Sequence, residues 1–344
     1  KSRGLGDVYK RQAQAFILTG IRGTGKTTTA RIIAKGLNCI GLDQKGGPTV
    51  EPCGKCSNCT AIIEGNHVDV LEMDAASRTG VDDIREIIES IYYKASAGRF
   101  RVYIIDEVHM LSNNAFNALL KTLEEPPKHV KFIFATTEIR KVPVTVLSRC
   151  QRFDLRRIEP EEMIALLQRI SKSEGVNVSE DAFRMITRAA EGSARDATSL
   201  LDQAISHGGG SSDAKHVRDM LGIADRGRVL DLFKMIMQGD AAAALTELNS
   251  QYSDGADPII VLKDLAEITH WISVSKITPD MNQDPTITPD ERTRGIEMSK
   301  TLSMRALTRM WQMLLKSLGE ITIAPSPIMA VSYTHLRAHE TYVH

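Results

Sequence analysis

The chain has 344 residues, 42% apolar and 25% charged, with 43 basic and 43 acidic side chains and therefore no net charge. This is ordinary globular usage, and the length calls for two or three domains, because single cores stop growing well before it. Neutrality excludes the crude basic signature of a non-specific nucleic-acid binder, though not a local basic stripe, and no run of about 18 apolar residues offers a membrane span.

Residues 1–12 (KSRGLGDVYKRQ) and about 331–344 (VSYTHLRAHETYVH) break the pattern of what lies between, and three of the nine histidines fall in the last ten positions. Both stretches resemble translated adaptor sequence and are expected to be non-native. From 13 to 159 strands alternate with helices. QAFILTG reads as a short buried strand ending in glycine, and TTTARIIAKGLNC as a helix with Ala30, Ile33, Ala34 and Leu37 on one face. HVDVLEMDA, RVYIID, VKFIFATT and RFDL are further strands, with VDDIREIIESIYYKA and NNAFNALLKTLEE as helices between them. This order predicts a mainly parallel sheet covered on both faces.

After Pro160 the strand signals stop. EEMIALLQRISKSEG, SEDAFRMITRAAEG and SARDATSLLDQAISH predict three helices over 160–222. A second all-helical region is expected over 223–330, its longest apolar stripes being DPIIVLKDLAEITHWISVSK and SMRALTRMWQMLLKSLGEI. A stretch rich in Pro and Asp near 278–290 separates helices within it. No internal repeat is visible.

Gly20-Ile-Arg-Gly-Thr-Gly-Lys-Thr27 matches G-x-x-x-x-G-K-[ST] after a predicted strand and at the start of a predicted helix, the context that motif requires. Gly20, Arg22, Gly23, Thr24, Gly25, Lys26, Thr27 and Thr28 are the expected nucleotide-binding residues. The glycines let backbone N–H groups curl toward phosphates at a helix N-terminus; Lys26 would neutralise the β- and γ-phosphates, and the Thr27 hydroxyl would ligate Mg²⁺. Val102-Tyr-Ile-Ile-Asp-Glu-Val-His109 is a strand ending in two acids at the carboxyl edge of a parallel sheet, where such sheets bind ligands. Asp106 is expected in the Mg²⁺ shell and Glu107 as the base that polarises the attacking water. An acidic turn is the bland reading of that strand end, and the loop makes it the weaker one.

Cys39, Cys53, Cys56 and Cys59 read C-x₁₃-C-x₂-C-x₂-C, the last three in a turn-rich segment. Four thiolates would satisfy tetrahedral Zn²⁺ with no open position, a structural and not a catalytic site, in a module of about 37–65. The clustering suits a reducing cytosol better than a disulfide framework. Redox chemistry at one C-x-x-C pair would leave two cysteines over. Cys150 stands apart.

A zinc module after the first helix of a P-loop domain, with DEVHMLSNNAFNALLKTLEEPP, FATTE, PVTVLSRCQRF and EGSARDA, closely resembles the gamma/tau clamp-loader subunits of bacterial DNA polymerase III, which are AAA+ ATPases. The resemblance covers essentially residues 14–330. It implies an α/β AAA+ P-loop domain with an inserted zinc module, then a three-helix lid domain and an all-α collar domain through which subunits assemble. It implies that Thr137 is the sensor-1 residue near the γ-phosphate, that Arg149 of Ser148-Arg149-Cys150 is an arginine finger acting in trans, and that Arg195 is sensor 2 on the lid. The implied cofactors are ATP, Mg²⁺ and structural Zn²⁺. The implied partners are delta, delta-prime, further gamma/tau copies, the sliding clamp and primer-template DNA, with no membrane. The implied activity is ATP hydrolysis, within a cytoplasmic, nucleoid-associated replisome and as a subunit of a DNA-directed DNA polymerase, a nucleotidyltransferase. One departure stands out: the family carries an Arg-Pro stretch and a Gly-Gln pair ahead of the first strand, which help enclose the adenine, and residues 1–12 match neither. Two other readings share parts of the pattern, a silent scaffold of the delta-prime kind and a branch-migration helicase; the intact Lys26, Thr27, Asp106 and Glu107 disfavour the first, and the cysteines with the Ser-Arg-Cys motif disfavour the second.

Overall fold

The computed structural model describes residues 14–77, 80–207, 211–221, 226–278, 286–321, 323–324 and 326–332. The stretches expected to be non-native lie outside these, apart from Val331 and Ser332. The chain divides into two compact units, one of residues up to Ile158 together with Ser193–Arg195, the other of Glu159–Gly192 and the residues from Asp196 onward.

The first unit is built on β1 (Ala15–Thr19), β2 (Val70–Asp74), β3 (Arg101–Asp106), β4 (Val130–Thr136) and β5 (Gln151–Asp154). They form one sheet in the order β2-β3-β4-β1-β5, parallel at every pairing. Parallel neighbours need crossovers, and helices cover both faces as a result. Alternate residues point to opposite faces. Val102 and Ile104 of β3, with Leu18 and Ile133, pack with Ala30 and Ala34 of α1 (Lys26–Asn38) and Ile62 of α2 (Ser57–Ile63). Tyr103 and Ile105, with Ile17, Phe132 and Phe134, pack with Ile84 and Ile91 of α3 (Val81–Ile91), Phe116 and Leu119 of α4 (Asn113–Glu124) and Val146 of α5 (Val144–Leu147). β4 is central and buried at all of its residues, which is why VKFIFAT reads as an unbroken run with its one lysine laid over the Phe100 ring. Register sets Tyr103 beside Phe132, and their rings stack at 5.5 Å between centroids.

β2 starts at Val70, later than the alternation suggests, because the Asp69 N–H turns back to donate to His67 Nδ1 at 3.0 Å. α3 stops at Ile91 and leaves Tyr92 and Tyr93 outside it, both exposed.

The second unit holds α6 (Pro160–Glu174), α7 (Glu180–Ala189), most of α8 (Ala194–His207), α9 (Ala214–Leu221) and then α10 (Arg226–Met237), α11 (Ala241–Ser253), α12 (Pro258–Ile277), α13 (Pro289–Thr301) and α14 (Met304–Glu320). Two features differ from the sequence expectation of three helices and no strands over 160–222. α9 is a fourth helix there, and β6 (Asn177–Val178) pairs in parallel with β7 (Ser211–Ser212). Two-residue strands are too short to show a period, so alternation could not reveal them. The remaining helices share one core around Phe233, Leu265, Ile268 and Met310. α13 is opened by a capping box, Thr288 with Glu291, behind the Pro-rich stretch. Among the described residues no helix is long and apolar enough to cross a membrane.

Candidate nucleotide site and cysteine cluster

The carboxyl ends of β1, β4 and β3 are neighbours, and each delivers a different group to one edge of the sheet. After β1 the chain turns through Gly20–Gly25 into α1. Gly23 (φ 78°) and Gly25 (φ 85°) lie in the left-handed region. A Cβ on Gly23 would also stand 2.0 Å from Ser193 Oγ, so space as well as backbone angle demands glycine there. Lys26 opens α1 and is buried; its ammonium donates to the carbonyls of Gly20 (3.0 Å) and Ile21 (2.8 Å). Burial lowers its pKa, Glu107 and Asp106 oppose that, and Arg195 adds to it. The Thr24 hydroxyl closes the loop on the Ile21 carbonyl at 2.9 Å. Arg22 and Thr28 are exposed.

The Thr27 hydroxyl donates to Asp106 Oδ2, which joins the start of α1 to the end of β3, and Asp106 Oδ1 accepts the Glu107 N–H at 2.9 Å. Glu107 is left-handed, φ 45° and ψ 45°. For a non-glycine residue this costs about 1 kcal/mol or more, and the contacts around its side chain hold it there. Thr137, just beyond β4, donates to Glu107 Oε2 from its hydroxyl (3.0 Å) and its N–H (3.3 Å). Lys26, Thr27, Asp106, Glu107 and Thr137 thus form one constellation. Ser193–Arg195 belong to the same unit, and the Arg195 N–H reaches the Gly23 carbonyl at 3.3 Å. Arg149 lies elsewhere: its guanidinium donates to the Thr145 carbonyl (2.5 Å) and to Glu124 (2.6 Å), and touches none of that constellation.

Two residues at this site carry no motif signal that sequence reasoning used. His109 ends the motif strand's segment and contacts Glu107; Glu138 follows Thr137 and contacts His109.

The four cysteine sulfurs lie within 4.8 Å of one another, and none forms a disulfide. Cys39 caps the C-terminus of α1, its N–H bonded to the Lys35 carbonyl, so one 13-residue helix of about 20 Å separates the glycine loop from the cluster. N–H groups of Gly41 and Cys53 point at Cys39 Sγ (3.4 Å each), and that of Cys56 at Cys53 Sγ (3.3 Å). Burial disfavours the thiolate of Cys56, but N–H donors from Cys59 and Ile40 and neighbouring thiols outweigh it and bring its pKa down to about 6. Cys59 is pushed up to about 12, first by burial and then by its neighbouring thiols. Four thiol donors at this spacing, already ringed by N–H groups, fit a tetrahedral cation.

A polar scaffold that the motifs do not announce holds the cluster in place. Arg99 donates to the carbonyls of Leu37 (3.1 Å), Gly46 (2.7 Å) and Cys39. The turn before Arg99 is wrapped round the buried Asp69 carboxylate by N–H groups of Ser96 (2.9 Å), Ala97 (2.7 Å) and Gly98 (2.7 Å). Burial raises the Asp69 pKa, and these three donors more than reverse it.

A glycine loop and two acids on the middle strands of a parallel sheet, followed by helical domains, define the class as an AAA+ P-loop protein. The family model for the DNA polymerase III delta subunit matches residues 8–159, that for the clamp loader subunit ATPase lid domain 163–210, and that for subunits gamma and tau domain III 212–341. DNA polymerase III subunit gamma of Buchnera aphidicola subsp. Baizongia pistaciae is 40% identical over 328 residues, 94% of this chain and 86% of that one. Subunit tau of Salmonella typhimurium is 40% identical over 324 residues, 94% of this chain and 49% of its own, and subunit tau of Bacillus subtilis 41% over 318, covering 91% and 55%. The chain belongs to the DNA polymerase III gamma/tau family. It spans about half the length of the tau subunits it matches.

Proposed function

We propose that this chain is an ATP-hydrolysing motor subunit of a clamp loader, which uses ATP to open a sliding clamp and place it on primed DNA. The observation that carries the reading is the constellation itself: Lys26, Thr27, Asp106, Glu107 and Thr137 meet at one sheet edge although 111 positions separate the first from the last.

The chain's own groups divide the work. Lys26 would exchange its two loop carbonyls for phosphate oxygens, and the loop N–H groups around Gly23 to Thr28, with Gly20 and Arg22 at its entry, would hold the rest of the triphosphate. Thr27 and Asp106, already bonded to each other, would hold Mg²⁺, which supplies charge neutralisation at the phosphates. Glu107 would take the proton of the attacking water. Thr137, which grips Glu107 here, would report on the γ-phosphate. Arg195 would bring the lid's charge to the same phosphates. Arg149, paired with Glu124 and away from its own chain's loop, would serve a neighbouring subunit, making turnover conditional on assembly.

Cys39, Cys53, Cys56 and Cys59 would hold a structural Zn²⁺; four thiolates leave no coordination position for chemistry. The partners would be delta, delta-prime, further copies of this subunit, the clamp and primer-template DNA, held by phosphate contacts from several subunits within a cytoplasmic, nucleoid-associated replisome. The ATPase would then act as part of the polymerase holoenzyme and not as a nucleotidyltransferase in its own right.

The test is steady-state ATP hydrolysis by the chain mixed with cognate loader subunits, clamp and primed DNA, beside Lys26→Ala and Arg149→Ala. Stimulation by clamp plus primed DNA, lost in both variants, is expected, with the isolated chain nearly silent. Nucleotide binding without stimulation under any of these conditions would favour a scaffold of the delta-prime kind.

A further inference from the structure

We propose that His109 is a positioning residue for Glu107, a role that rests on reading Glu107 as the base. The imidazole is almost wholly enclosed, its side chain 6% exposed. Nδ1 lies 3.3 Å from Glu107 Oε2 and 3.0 Å from Thr136 Oγ1. Nε2 lies 3.5 Å from Glu138 Oε1. Thr136 is fully buried, and its hydroxyl oxygen accepts the Glu138 N–H at 3.0 Å.

The proton inventory follows from these neighbours. Glu107 Oε2 is a carboxylate oxygen and can only accept, so the positioning role requires the tautomer in which Nδ1 carries the proton and donates to Thr136 Oγ1 beside it. A proton on Nδ1 turns the contact with Oε2 into an attraction. Oε2 then accepts from the Thr137 hydroxyl and N–H, while the hydrogen bond of His109 Nδ1 itself goes to Thr136 Oγ1 and holds the ring's positive edge 3.3 Å from the same oxygen. Oε1 has no hydrogen-bond partner among the described residues. One oxygen is anchored and the other is left to receive a proton, the division of labour a base at a left-handed residue needs in order to keep a single aim.

The other side of the ring looks to the loop after β4. Glu138 meets Nε2, and Lys141 bonds Glu138 at 2.8 Å. Three residues beyond Lys141 begins α5, and Arg149 follows it. His109 therefore joins the base to the segment that carries the arginine assigned to the neighbouring site. The ring does not reach Lys26, Thr27 or Asp106, so its loss should spare nucleotide binding.

The experiment is a double-mutant cycle in the assembled loader with clamp and primed DNA, reading kcat and, separately, equilibrium binding of a fluorescent ATP analogue. His109→Ala is expected to lower kcat roughly tenfold or more while the dissociation constant stays within about twofold. His109→Asn keeps a donor near the Nδ1 position and should recover most of that loss. In a Glu107→Gln background His109→Ala should cost nothing further, because the group it positions is already gone. Full turnover in Glu107→Gln would overturn the base assignment and this inference with it. A silent Glu107→Gln with undiminished His109→Ala turnover would overturn the positioning role alone. So would an equal loss in both backgrounds, or a loss that Asn fails to recover while melting temperature falls, since either marks a packing role.

Discussion

Removing the carboxylate of Asp69 should unfasten the cysteine cluster from a distance. Asp69 is 1% exposed and is the acceptor for the N–H groups of Ser96, Ala97 and Gly98. Asp69→Ala leaves those three donors without a partner. At about 1–3 kcal/mol per stranded donor, and with Ser96 and Ala97 near enough to solvent to be partly rescued, the loss should be about 3–4 kcal/mol. Asp69→Asn can turn its amide oxygen to the position that now serves Ala97 and Gly98, so only charge and one contact are lost, about 1–2 kcal/mol. For a unit of this size those figures correspond to roughly 10 °C and 4 °C in the calorimetric transition of the sheet-bearing unit. The wild-type contribution carries a pH signature as well. The folded pKa of Asp69 is lowered, so its stabilisation is present above the unfolded pKa and disappears as pH falls through the folded one. The calorimetric gap between wild type and Asp69→Asn should close on acidification. Because Arg99 leaves the same turn to hold the carbonyls of Leu37, Gly46 and Cys39, both variants should also release metal faster to a chelator, in the same rank order. An Asp69→Ala protein within about 1 kcal/mol of wild type would refute the reasoning, because all three donors, Gly98 included, would then have found acceptors the structure does not contain.

Other expectations can be checked in parallel. The purified chain should hold one tightly bound zinc, measured by elemental analysis, and Cys59→Ser should abolish it, since the remaining three sulfurs cannot close a tetrahedral shell. Gly23→Ala should prevent nucleotide binding in equilibrium titrations while the sheet still folds, its new methyl falling 2.0 Å from Ser193 Oγ. Gly295→Ala should destabilise the second unit by about 2 kcal/mol or more in urea unfolding, because the added carbon would stand 1.9 Å from the Trp271 ring. Burial raises Asp264 from 3.8 to about 6 against the pull of Arg188. The unfolded chain thus loses this proton first, and the second unit should lose stability as pH rises from about 4 to 6, by up to roughly 3 kcal/mol. Asp264→Asn should flatten that slope and leave the unit more stable than wild type at neutral pH.

Local grammar carries the parts of this protein that a sequence can state alone. The glycine loop is legible because a strand, a tight turn and a helix N-terminus must follow one another within a few residues. The two acids that close RVYIIDE are legible because an apolar run of strand length ends in charge there, as a buried strand does at the edge of its sheet, and the glycine loop upstream gives them a partner. Three of the four cysteines sit in one turn and declare themselves in the same way. What escaped depends on who lies beside whom. His109 meets Thr136 and Glu138 because β3 and β4 are adjacent and in a register that pairs Ile105 with Phe134, and no periodicity encodes a register between strands 29 positions apart. Asp69 finds Ser96 to Gly98, and Arg99 finds Leu37, only after the sheet has closed. The two-residue ladder of β6 with β7 and the half-buried Arg188 and Asp264 follow the same rule. Hydrophobic period tells a residue which way to face, and side-chain chemistry tells it what it could bind. The partner itself is chosen by tertiary packing, which alone brings distant polar groups within hydrogen-bonding distance and removes the water that would otherwise compete for them.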